Sequence, residues 1–116
     1  MNFVELEKIK ANSGGDQELL LELISMGIER IDTSLTEMNV AVQNRDWDGL
    51  SRTIHKLRPI IIYAGINAFN DELILLENAA KEKTGLAEVP VRIGKIIENL
   101  RLARCELDRL LSELRK

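Results

Sequence analysis

Four long runs of apolar residues recur at alternating spacings of three and four, and that periodicity decides what this chain can become. The first is Leu20, Ile24, Ile28, Ile31, Leu35, Met38, Val42, and the second Trp47, Leu50, Ile54, Leu57, Ile61, Ala64. The third is Ile66, Phe69, Leu73, Leu76, Ala80, and the last Ile93, Ile96, Leu100, Ala103, Leu107, Leu110, Leu114. Each stripe covers one face of an α-helix and leaves polar residues opposite, so each helix needs neighbours to bury it. The breaks between runs carry helix punctuation. "NSGGDQE" offers a glycine stop and then Asp16 as an N-cap, "NRDWD" offers Asp46, "AGIN" holds Gly65, and "KTGLAEVP" holds Gly85 and Pro90. Helices joined by such short linkers turn back on one another. The spacing therefore predicts an all-α protein, an up-down antiparallel four-helix bundle, as a single domain over residues 1–116. Phe3, Leu6, Ile9 and Lys10 add a short N-terminal capping helix.

Composition narrows the core and the partners. Hydrophobic residues make up 45% of the chain but aromatics only 3%, so Leu, Ile, Val and Ala must fill the interior. The net charge is -3 with both signs interleaved, and no basic block offers a nucleic-acid footprint. No apolar run approaches the length of a membrane span. An acidic amphipathic stretch follows Met1 where a signal peptide would need a basic and then an apolar segment. One cysteine, Cys105, cannot form an internal disulfide and suits a reducing compartment. A cytoplasmic monomer is expected.

The chemistry concentrates in "TIHKLRPIIIYAG", residues 53–65, which holds the sole histidine, His55. At about 100° per residue, the seam of the second helix centres between Ile54 and Leu57, which turns His55 to the water side. A metal site is disfavoured, since Ser51 and Pro59 occupy the positions four residues away and no second histidine exists. A Cys–His nucleophilic pair would need Cys105, which sits off the seam of the last helix. The exposed stripe around His55 carries Arg52, Arg58, Pro59 and Ile62, with Lys56 to one side. Cations beside an imidazole favour its neutral, nucleophilic form and would hold an anion placed on its nitrogen. Ile62 reads as an exposed docking contact. Proline removes the N–H that would bond the carbonyl of His55, yet Ile61 and Ala64 keep the seam spacing beyond it. The expectation is a continuous helix with a mild bend between His55 and Pro59.

This stretch resembles the histidine-phosphotransfer (HPt) domains of two-component phosphorelays. Their signature is His, any residue, Leu, Lys, Gly, and a second glycine six residues further. The chain has His55, Leu57, Arg58 for the lysine, Pro59 for the first glycine, and Gly65 in register. "GGDQELLLELI" looks like the family's entry to its first bundle helix, and "NRDWDGLSRTIHKL" like the approach to the phospho-acceptor. "GINAFNDELILLENAAKEK" is similar to the helix that follows. The resemblance implies that His55 accepts a phosphoryl group, with Arg58 and Lys56 supporting it. Arg52, Pro59, Ile62 and Gly65 would lie on the docking face. The implied partners are response-regulator receiver domains and a hybrid histidine kinase, with no membrane and no nucleic acid.

The implied chemistry needs no cofactor in this chain, because the divalent metal belongs to the receiver. "NSGG" lacks the Lys-Ser/Thr of a phosphate loop, so the reading is a carrier and not an ATP-using enzyme. Two other readings compete. A non-catalytic adaptor bundle would show the same helical regularity without needing the basic stripe. The helix pair of a sensor kinase would have two long segments where this chain has four.

Overall fold

A computed structural model describes residues 2–116. Five helices follow in order: α1 (Leu6–Ser13), α2 (Gln17–Gln43), α3 (Trp47–Tyr63), α4 (Asn70–Glu82) and α5 (Val89–Leu114). The last four close the bundle, with α2 against α3 and α5, α3 against α4, and α4 against α5. The short α1 caps one end by resting on α2 and α3. The apolar stripes meet inside. Ile24, Ile31 and Met38 of α2, Leu50, Ile54 and Leu57 of α3, Leu73 and Leu76 of α4, and Leu100 and Leu107 of α5 are fully buried. Each such Leu or Ile favours folding by about 1.5–3 kcal/mol relative to exposure. The four stripes together supply the drive that an aromatic-poor chain needs.

The helix ends follow local chemistry. Asp16 accepts from the Leu19 N–H at 3.2 Å and Asp46 from the Gly49 N–H at 2.9 Å, each capping the helix it precedes. Gly14 ends α1 in the left-handed conformation, and Pro90 sits in the first turn of α5. The third stripe departs from expectation. Ile66 and Phe69 are buried but lie ahead of α4, in the connection from α3. There Ile66 pairs with Val4 in an isolated antiparallel bridge, and its side chain joins the bundle core from outside any helix.

Two further turns use left-handed residues that are not glycine: Arg45 (φ 53°) and Lys83 (φ 56°). At the first, the N–H groups of Arg45 and Asp46 return to the carbonyls of Val42 and Ala41, which closes the end of α2. A side chain at such a position costs about 1 kcal/mol relative to glycine. Arg45→Gly is therefore expected to raise stability by about that amount in urea denaturation. A variant less stable than the parent would contradict this account of the turn.

Close approach explains a glycine that the periodicity left unremarked. A Cβ on Gly27 would fall 2.7 Å from Ala64 Cβ and 3.1 Å from Leu107 Cδ1, so α2 meets both α3 and α5 at this point. Near the same end, the N-terminal segment is tied down by backbone hydrogen bonds. The Phe3 and Val4 N–H groups donate to Glu106 Oε1 at 2.8 and 2.9 Å, and the Glu5 N–H donates to the Gly65 carbonyl at 2.9 Å. The rings of Phe3 and Phe69 stack at a tilt, 4.8 Å apart. Asn12 Nδ2 donates to the Tyr63 carbonyl, adding a tie to the end of α3. At the opposite end, half-buried Trp47 opens α3 beside Val42, Leu86 and Pro90.

Candidate functional site

α3 runs unbroken from Trp47 to Tyr63 with Pro59 inside it, so the helix that carries His55 does not stop at Leu57. Ile54, Leu57 and Ile61 anchor its inner face, and this fixes the rotation that turns His55 outward. The His55 side chain is 74% exposed. Pro59, one turn on, is exposed as well, which leaves the carbonyl freed by the missing N–H within reach of water.

The ring has a partner across the helix interface. Its Nδ1 lies 3.1 Å from Glu77 Oε2, on the neighbouring helix α4. Only 14% of the Glu77 side chain is exposed, and its other oxygen accepts from Arg58 Nη1 at 2.9 Å. Arg58 also donates from Nε to Asn70 Oδ1 at 3.2 Å. One carboxylate thus bridges an imidazole and a guanidinium, and the guanidinium is fixed on both of its edges. An ionised carboxylate can only accept hydrogen bonds, so Nδ1 must carry the proton. The lone pair of the neutral ring then resides on Nε2.

The surroundings differ from the ring of cations that the sequence suggested. Arg58 is turned toward α4 and pairs with Glu77, so its charge is offset there. Arg52 and Lys56 remain exposed on α3 and border, with His55, a groove of about 540 Å³ between α3 and α4. Asp48, Ser51, Glu77 and Lys81 complete its lining. Two residues expected on the docking face are less exposed than the sequence suggested. Ile62 is half-buried, not exposed. Gly65 is buried at φ 80°, with Glu5 and Ile9 packed against the place a Cβ would occupy, so it has no surface to offer a partner. On the other flank of α3, exposed Met26 and half-buried Ile60 line a shallow hollow with Arg30 and Thr33.

Sequence reasoning missed Glu77. The available signal was an acidic residue wedged between Leu76 and Ala80, at the margin of the α4 stripe, where a charge needs a partner. The groups around His55 come from α3 and α4, while Cys105 lies exposed on α5. Among the described residues no helix is long and apolar enough to cross a membrane.

The sequence matches no family model, and no curated protein matches it either. The three-dimensional structure is similar to the crystal structure of the HPt domain from a sensor hybrid histidine kinase of Shewanella. The TM-score is 0.85 at 19% sequence identity, and the match covers 96% of this chain and 95% of that one. The bundle with its short capping helix has the fold of an HPt domain.

Proposed function

We propose that this protein is a phosphorelay carrier, in which His55 takes a phosphoryl group from the aspartyl phosphate of one receiver domain and passes it to the aspartate of another. The observation that carries this reading is the exposed His55 ring held through Nδ1 by the half-sequestered carboxylate of Glu77. That contact leaves Nε2 pointing its lone pair away from the carboxylate, as a nucleophile must. Nε2 attacks the phosphorus, the N–P bond forms, and the P–O bond to the receiver's carboxylate breaks with its electrons going to that carboxylate. The ring, still protonated at Nδ1, becomes cationic. Glu77 faces the charge that develops and stabilises it. Transfer onward reverses the same steps, so no proton has to leave or arrive. The divalent metal that supports phosphoryl transfer belongs to the receiver.

Mixing the protein with phosphorylated receiver domains and following phosphate by mass and acid lability tests the proposal directly. Phosphate that is lost in acid and kept in base should appear on this chain. If receivers of several types leave it unlabelled, the carrier reading fails. Glu77 gives a finer test. Glu77→Ala should slow transfer roughly ten- to a hundredfold, by analogy with the loss of a carboxylate that orients a metal-bound histidine. Glu77→Gln keeps an oxygen that can accept from Nδ1 but loses the charge, so its rate should fall between the two. Equal rates in all three proteins would show that the ring needs no such support.

A further inference from the structure

We infer that Lys81 is a phosphoryl-binding cation, and that the group carried on His55 rests in the groove between α3 and α4 with Lys81 on its far wall. This rests on the proposed function. The motif's basic residue, Arg58, has Nε on Asn70 and Nη1 on Glu77, so its charge is already offset by a carboxylate before a phosphoryl group arrives. A dianionic group on Nε2 still needs compensation, and the groove supplies it. Arg52 and Lys56 stand on the His55 wall, one turn before it and next to it. Lys81 stands on the α4 wall, one turn past Glu77 and on the same face of that helix. Lys81 forms no ion pair among the described residues, and neither do Arg52 and Lys56. Lys83, the next cation of α4's end, is occupied by Asp48 at 3.0 Å. Of the acids facing the groove, Asp48 is thus engaged by Lys83 and Glu77 by Arg58 and the ring. Within the groove the cations left without a carboxylate partner are Arg52, Lys56 and Lys81, the first two of which also border Glu37 and Asp46 on the flank of α3 that faces α2. Lys81 alone of the three comes from the opposite helix, so it can close on the group from the side that α3 cannot reach.

The test loads His55 with phosphoramidate, a small donor that needs no receiver, and titrates the phosphorus resonance by 31P NMR. In the transfer, Nε2 forms the N–P bond as the P–N bond of the donor breaks and ammonia leaves. A cation touching the phosphoryl oxygens favours their fully ionised form. Lys81→Gln should therefore move the titration midpoint of the phosphoryl group upward by about half a pH unit, while Lys81→Arg should leave it near the parent value. The equilibrium constant for phosphate on this chain, measured against a receiver, should drop about threefold in Lys81→Gln, the fold-change equivalent of that shift. A parent protein that takes no label on His55 would overturn the carrier reading and this inference with it. A labelled parent whose midpoint matches that of Lys81→Gln would overturn the role of Lys81 and leave the carrier reading standing. A shift in Lys81→Gln that Lys81→Arg fails to restore would also count against it, because a charge effect must be recovered by charge.

Discussion

His55→Gln is expected to give a folded helical protein that carries no transferable phosphate. The ring is largely outside the core, and its 74% exposure means that its removal opens no cavity. Glutamine is a slightly better helix former than histidine, and Glu77 keeps its bond from Arg58 when the ring is gone. The change in stability should stay within about 0.5 kcal/mol, as for other surface substitutions. Transfer should vanish, because an amide nitrogen has no lone pair free to attack phosphorus and the chain has no second histidine. Circular dichroism with thermal melting would check the fold, and acid-labile phosphate after incubation with a phosphorylated receiver would check the chemistry. Label retained by His55→Gln would place the acceptor elsewhere. A collapsed fold would mean that the ring has a structural task hidden from this geometry.

Gly65→Ala should be the most damaging single-atom addition in the protein. The residue sits at φ 80°, where an L side chain is strained, and its new Cβ would lie 2.7 Å from both the Glu5 carbonyl oxygen and Ile9 Cγ1. Neither neighbour can yield cheaply. One is backbone within a hydrogen-bonded bridge, and the other belongs to a fully buried side chain. Strain of about 1–2 kcal/mol and overpacking of about 1–3 kcal/mol together suggest a loss of roughly 2–5 kcal/mol. The N-terminal segment should give way first. Hydrogen exchange at the Glu5 N–H, which donates to Gly65 itself, should accelerate well before the amides of α3 do. A variant within about 0.5 kcal/mol of the parent, with Glu5 still protected, would show that the corner has slack this geometry denies.

Much of the bundle was readable because burial of one helix face leaves a periodic trace. The stripes of α2, α3 and α5 and the caps Asp16, Asp46 and Pro90 needed only local rules. Ile66 and Phe69 misled for a physical reason. A buried residue fits a stripe whether it sits on a helix or in a connection, and Ile66 is buried in the connection, paired through its backbone with Val4. Arg45 and Lys83 gave no warning of their left-handed turns, since glycine is the usual marker of such a turn. The site divides in the same way. His55 was legible as a water-facing histidine on an amphipathic helix. The partner of its Nδ1 was not, because pairing across helices depends on how α3 and α4 are rotated against each other, and a linear pattern does not encode that rotation. The same limit placed Arg58 beside the imidazole when its guanidinium reaches past it to Glu77, and it left Ile62 on a surface that the bundle half covers.

The position of Trp47 has an optical consequence. The protein has one indole, and it stands at the start of α3, a helix length of about 25 Å from the corner where Gly65 and Glu5 meet. Its emission senses the packing of Val42, Leu86 and Pro90 and is blind to the other end. A loosened N-terminal segment would therefore leave the spectrum unchanged until the whole bundle melts. Fluorescence and amide exchange would report different transitions in the same tube, and a single tryptophan trace would make a two-step opening look like one.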